Sequence, residues 1–330
     1  VNQSVNNLNL TPTLLLLSIS IFTTIAFSQK EAITKDGKKV LLYENGYWAF
    51  ANPEPLNIKT TTIFKLEIPK IQPKETMVSH VGYTLSYNEA HEQANWVAYE
   101  LTAGETVKIY ERTNKFLRDP KIRTDTSMDK DFKGSGYDRG HLAPASDMAW
   151  SESAMKESFY YSNISPQTAH FNRGVWKKLE GLVRSWAVEN KAVYVVTGPI
   201  FTKGLKTIGK NNVTVPEYYY KVILDYREPS IKGIGFILSN QSSSSQLKNQ
   251  AFPIDFVEEK TGIDFFAGLP DEQEKMIESE LCVGCWSWDS SKSSVENEKL
   301  STYVRCSGIT KAGARCKRRT ASSNGRCYQH

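Results

Sequence analysis

One stripe of apolar residues at helical spacing constrains this chain more than any other feature. In GVWKKLEGLVRSWAVE, residues 174–189, the side chains of Val175, Trp176, Leu179, Leu182, Val183 and Trp186 fall on one side of a helix and the polar residues opposite. The stripe stands between stretches of a different period. Trp96–Leu101, Ala192–Val196, Tyr218–Tyr226 and Ile231–Leu238 are runs of β-branched and aromatic residues, most of them bounded by Gly, Pro, Asn or Asp, and each predicts a strand. A helix that must bury one face among strands that must pair predicts a mixed α+β body. Strands dominate it and helices pack on them.

The ends of the chain read differently from this body. Leu14–Phe27 is a 14-residue run without a charge, short for a bilayer span, and Ala26-Phe27-Ser28 is a small-x-small cleavage pattern. It predicts a signal peptide over 1–28 and export, secreted or periplasmic, with no integral membrane role after cleavage. No Lys or Arg precedes the run, so an uncleaved anchor, and with it a membrane-tethered scaffold, is the alternative. Residues 29–51 predict a small β-hairpin, because Asp36-Gly37 and Asn45-Gly46 bracket the strand Val40–Tyr43. The Pro- and Lys-rich stretch 52–75 reads as a linker, 76–285 as the main domain, and the Ser-rich stretch 286–304 as a second linker.

The net charge of +5 is a property of the tail. Seven basic residues lie between Arg305 and Arg326, and without them 34 basic residues face 36 acidic ones. A basic cluster on a nearly neutral body favours a polyanionic partner, nucleic acid before membrane.

The chemistry concentrates in GYDRGHLAPASDM, 136–148. The chain has only five histidines, and one of them, His141, sits two residues from Arg139 with Gly140 between. A guanidinium matches two phosphate oxygens, a neutral imidazole takes a proton near neutral pH, and glycine lets backbone and substrate approach. A histidine in a polar loop is the structural alternative.

Asp138-Arg139-Gly140-His141 resembles the signature of the DNA/RNA non-specific endonucleases, the ββα-metal nucleases that include endonuclease G. The likeness continues in order through Tyr83–Tyr87, Trp96–Tyr99, Arg112–Pro120, Ser162–Gln167, Asn172–Glu180, Thr197–Phe201 and Val215–Lys221. It implies an α+β, ββα-metal (His-Me finger) nuclease fold, a central antiparallel sheet flanked by helices. It also implies Mg²⁺-dependent (or Mn²⁺-dependent) hydrolysis of phosphodiester bonds in DNA and RNA. On this resemblance His141 is the general base that activates water. Asn172 is the direct metal ligand through its amide oxygen, and Glu180 holds metal-bound waters. Arg112 and Arg139 contact phosphates, with Arg118 as a competing choice. Asn163 and Gln167 organise the site from behind, and Asp138 orients Arg139 or its neighbours. By their residue types alone, Asn172 can cap the helix that begins near Gly174, which does not exclude ligation, and Glu180 in isolation is a solvent-facing helix residue. Eight residues are about two helical turns, which brings Glu180 to the same side as Asn172. Such a set recognises the phosphate backbone and not the bases. A nucleic-acid-binding protein of the same fold without turnover is the alternative function.

All five cysteines follow residue 280. Cys306, Cys316, Cys327 and His330 form C-x9-C-x10-C-x2-H, which resembles small Cys3His modules. Three thiolates and an imidazole suit Zn²⁺, and about 25 residues are too few to fold without a staple. Disulfides are the alternative there. Cys282 and Cys285 are left as a pair that can close a small disulfide.

Overall fold

The computed structural model describes residues 30–42, 48–50, 56, 58–124, 126–243, 245–289, 304–305 and 319–320. The apolar run Leu14–Phe27 and the side chains of Cys306, Cys316, Cys327 and His330 lie outside them. Among the described residues no helix is long and apolar enough to cross a membrane.

Near the N-terminus, Lys30–Ile33 (β1), Lys39–Leu42 (β2) and Trp48–Phe50 (β3) form a three-stranded antiparallel sheet, one strand more than the expected hairpin. The stretch expected as a linker lies against the main domain. Leu66 is buried in its core, Ile63 and Ile68 pack on that core, and Leu56 forms a bridge to Ile231. Its isoleucines and leucines are spaced too irregularly to signal an element, yet Leu56, Ile58, Ile63, Leu66 and Ile68 all pack on or in the core.

The body is one antiparallel sheet of seven strands. Thr76–Ser79 (β4), Thr84–Asn88 (β5) and Gln93–Thr102 (β6) form one side of it. Next in the chain come the short helix Asp129–Phe132 (α1), then Asp138–His141 (β7), Glu152–Glu157 (α2) and Ile164–Gln167 (β8). Ala169–Phe171 (α3) and Lys177–Glu189 (α4) lead back to the sheet at Ala192–Ile200 (β9). A short pair, Thr207–Ile208 (β10) and Val213–Thr214 (β11), precedes Tyr218–Asp225 (β12), Lys232–Ser239 (β13) and Ala251–Phe252 (β14). The spatial order is β14-β13-β12-β9-β6-β5-β4. The helices Ile254–Thr261 (α5) and Asp271–Ser279 (α6) follow. Two further short segments, Val304–Arg305 (β15) and Arg319–Thr320 (β16), pair with each other.

The two faces of the sheet are covered by different helices, and the period of β13 decides which goes where. Phe236 points to α4, where it stacks near Trp186 at 6.3 Å. Gly235, on the opposite side, would place a Cβ 2.5 Å from Val257 of α5. Only glycine lets that helix lie so close. The apolar stripe behaves as its spacing requires, with Val175, Trp176, Leu179, Leu182, Val183 and Trp186 all buried. Cys282 and Cys285 are joined by a disulfide.

The excursion between β6 and β9 builds a second, smaller layer over the α4 face. β7 and β8 pair antiparallel, Gly140 opposite Ser165 and His141 opposite Ile164, and α4 follows them. That is the ββα unit within an α+β fold that the resemblance implies.

Candidate active site

The hairpin β7–β8 is held from below. The Tyr219 hydroxyl donates to the Pro166 carbonyl at 2.8 Å, and Asn240 Nδ2 donates to the same carbonyl at 3.0 Å. Asn163 accepts from the Ala143 amide through Oδ1 at 2.8 Å, and its Nδ2 donates to the carbonyls of Ala143 and Ser158. These three bonds use both amide hydrogens and one oxygen lone pair of the buried Asn163, and they fix the chain just beyond His141. Gln167 packs over Gly140, where an added Cβ would lie 2.2 Å from its side chain. Asn163 thus braces the hairpin where β8 begins, and Gln167 packs on it from the end of β8.

The cleft in front of the hairpin has a volume of about 570 Å³ and is lined by Arg112, Phe116, Asp129, Asp138, Arg139 and Asn172 among others. Asp138 accepts from Arg173 twice, at 2.8 and 2.6 Å, and from Asn172 Nδ2 at 2.9 Å. Burial alone would raise its carboxyl, but the bonds from Arg173 and Asn172 outweigh that and hold it below the usual carboxylate range. Arg139 does not pair with Asp138. It pairs with Asp129, to which the Tyr161 hydroxyl also donates, and its guanidinium stacks 4.1 Å from the Phe116 ring centre. Arg112 stacks on Phe159 at 4.8 Å, and its Nε donates to Asn114. Arg118 is turned away and donates to the carbonyls of Thr124 and Arg123.

His141 lies at the end of a strand and not in a loop. It is 7% exposed and sits behind the cleft wall, against Phe159 edge-on at 4.8 Å and Phe116 at 5.6 Å. Burial, followed by the charges of Arg112 and Arg139, pushes its pKa down to about 3. The imidazole is therefore neutral at physiological pH, and its Nε2 is buried with no hydrogen-bond partner among the described residues.

Asn172 does not N-cap the helix that follows it but closes α3 as its C-terminal cap, its backbone N–H donating to the Ala169 carbonyl. It has helical backbone angles at the end of α3 and opens a wide π turn, Asn172–Trp176, inside which Gly174 leaves the helical region. The regular helix starts only at Lys177, so two turns of uniform α-helix do not link Asn172 to Glu180. Because the carboxylate of Asp138 can only accept, it fixes the Asn172 amide with nitrogen inward and oxygen turned away. Among the described residues no protein group donates to that oxygen. A hard amide oxygen beside the carboxylate of Asp138 fits a hard divalent cation.

Glu180 is half-buried, not solvent-facing as an isolated helix residue would be. It lies over a charge cluster that sequence reasoning left without a role. Asp147 accepts from Arg184 at 2.7 Å and from the Tyr99 hydroxyl at 2.9 Å, and buried Lys221 stacks 4.6 Å from the Trp176 ring. Burial raises the Glu180 carboxyl, while Lys221, Arg184 and Arg112 pull it down. Arg112 acts on both His141 and Glu180, which places one guanidinium within electrostatic reach of both. Phe116, Phe159, Asp147 and Arg184 gave no periodic signal. Arg173 and Lys221 stood inside matched blocks without a chemical reason to single them out.

The structure thus brings Arg112, Arg139, Asp138 and Asn172 to one cleft and sets His141 and Glu180 along its inner side. Comparison with known proteins agrees with the pattern of the fold. The sequence model of the DNA/RNA non-specific endonuclease family matches residues 61–272. Mitochondrial nuclease EXOG of Danio rerio is 34% identical over 221 residues, covering 62% of this chain and 63% of that protein. Nuclease C1 of Cunninghamella echinulata var. echinulata is 38% identical over 206 residues, 57% of this chain and 81% of its own. Among solved structures, the EndoG/EndoGI complex, described as showing the mechanism of EndoG inhibition, is similar with a TM-score of 0.59 and 31% identity. That match covers 64% of this chain and 92% of the other.

Proposed function

Because the chain belongs to the DNA/RNA non-specific endonuclease family, hydrolases that cut nucleic acids, we propose that it is a Mg²⁺-dependent endonuclease acting on both DNA and RNA. The observation that carries this reading is the amide of Asn172, oriented by Asp138 and flanked by the guanidiniums of Arg112 and Arg139. Asn172 would hold the metal directly and Glu180 through water. A divalent cation bound there supplies charge stabilisation to the phosphate oxygens. Arg139 and Arg112 bind and orient the phosphodiester, each already braced by an aromatic ring. His141, kept neutral by its surroundings, takes the proton from the attacking water at Nε2.

Two further parts of the reading rest on sequence alone. They are export through the Leu14–Phe27 segment, and zinc held by Cys306, Cys316, Cys327 and His330.

Plasmid DNA and RNA incubated with the purified chain in Mg²⁺ are both expected to be degraded, and both to survive in EDTA. If neither is cut in Mg²⁺, the alternative of a silent binding protein takes over. Asp138→Ala frees the Asn172 amide to rotate. It is expected to raise the Mg²⁺ concentration for half-maximal rate roughly 10- to 100-fold, the usual cost of losing a group that orients a ligand. A shift below twofold would remove Asp138 from that role. Because the site grips phosphate and not bases, the KM for DNA should rise with salt. The slope of log KM against log salt should fall by about 1 in Arg139→Ala, one phosphate contact fewer. An unchanged slope would mean that Arg139 serves Asp129 alone.

A further inference from the structure

The face of the sheet opposite the cleft carries a group of carboxylates that phosphodiester cleavage does not use. Asp255 and Glu258 lie one turn apart on α5, and Glu278 comes from the last turn of α6. One oxygen from each falls within 4.8 Å of the others. Oxygens no farther apart than this can share one ion at roughly 2.4 Å from each, a calcium–oxygen distance.

Glu278 gives the independent sign that something is bound. It is 4% exposed, and its Oε1 is buried without a hydrogen-bond partner among the described residues. A carboxylate oxygen taken out of water and given nothing in return is costly, and such groups are found paired or on metals. Glu258 receives one bond, from the Phe265 amide at 2.6 Å, which leaves its other oxygen. Among the described residues no lysine or arginine forms an ion pair with Glu258 or Glu278. Lys260 is held by Glu259 at 2.7 Å, and Lys70 by Asp264 at 2.9 Å. The last turn of α6 has no basic residue either, so the helix dipole opposes the charge of Glu278.

Burial, with Glu258, Glu274, Asp255 and Asp264 adding to it, pushes Glu278 up to about 10. Glu258 rises to about 7 through burial, with Asp264, Asp255 and Glu274 adding.

We propose that Asp255, Glu258 and Glu278 form a second divalent-cation site, of the calcium class, that clamps α6 to α5 on the far side of the sheet from the cleft. All its protein donors are oxygens from flexible carboxylates on two helices, which suits calcium better than the strict octahedron of magnesium. The ion would neutralise the pair of helices that covers Gly233 and Gly235 of β13.

Equilibrium dialysis of the full chain carrying Asn172→Ala, which disables the proposed cleft metal, tests this with calcium alone as the probe. At about 1 mM free calcium, where low-affinity carboxylate sites fill, the variant is expected to bind one calcium per chain. Its melting temperature should rise by about 3 °C at tenfold saturation. Adding Glu278→Gln, which keeps the shape and removes the charge, should abolish both effects. Asp255→Asn serves where that variant does not fold. No calcium bound by Asn172→Ala, or binding undiminished by Glu278→Gln or Asp255→Asn, would overturn the site.

Discussion

Replacing His141 with alanine is expected to lower kcat roughly 10²- to 10⁴-fold, the range measured for losing a general base, while KM moves little. The second half of that expectation follows from position. His141 is buried behind Phe116 and Phe159, so it adds little to binding, whereas Arg112 and Arg139 face the cleft. The pH profile carries a sharper consequence. In the free enzyme the imidazole is held down to about 3 by burial and by the two guanidiniums. It is a competent base above that value, so the acid limb of kcat/KM should lie well below the 6.5 of an ordinary histidine. Bound phosphate neutralises Arg112 and Arg139 and removes two of the three causes. The acid limb of kcat, which reports the complex, should therefore fall at higher pH than that of kcat/KM. Coincident limbs near pH 6.5 would show that His141 is solvated in the working enzyme. A His141→Ala variant that cuts within tenfold of the parent would take the base away from it.

Legibility in the sequence followed burial. β9, β12 and β13 are covered on both faces, so they are runs of Val, Ile, Tyr and Phe whose hydrophobicity announces them. The hairpin β7–β8 is as well formed, yet DRGH and ISPQ have neither alternation nor apolar content. Tyr219 and Asn240 hold it by hydrogen bonds from sequence-distant places, and no local window contains them. His141 therefore reads as a loop residue until the pairing is seen. The π turn at Asn172–Trp176 is hidden for a related reason. Helical residues flank it, and only Gly174, a residue tolerated in many contexts, marks the break. Motif order located Arg112, Arg139, His141, Asn172 and Glu180 along the chain. It did not reveal that Asp138 serves Asn172 and Arg173 while Arg139 turns to Asp129, because partner choice between adjacent charges is decided by strand pleat and twist.

Asn172→Ala separates a metal ligand from a structural link. As a link, Asn172 contributes one hydrogen bond to Asp138, and Asp138 keeps its two bonds to Arg173 when the amide is lost. Stability should then fall by only about 1 kcal/mol, the net worth of a typical hydrogen bond. As the direct ligand, its loss removes several kcal/mol of charge stabilisation, so the rate should fall by about 10³-fold or more at fixed Mg²⁺. The expected result is the second loss of rate with only the first loss of stability, read by urea unfolding of the same preparation. Asn172→Asp sharpens the distinction. A carboxylate is ordinarily a stronger ligand for Mg²⁺ than an amide, but here it would face Asp138, which can only accept. The two acids repel, one is pushed toward its protonated form, and the donor oxygen is no longer fixed. Asn172→Asp is therefore expected to stay at least tenfold below the parent at neutral pH. Should it match the parent, the orientation imposed by Asp138 is not what makes Asn172 a ligand.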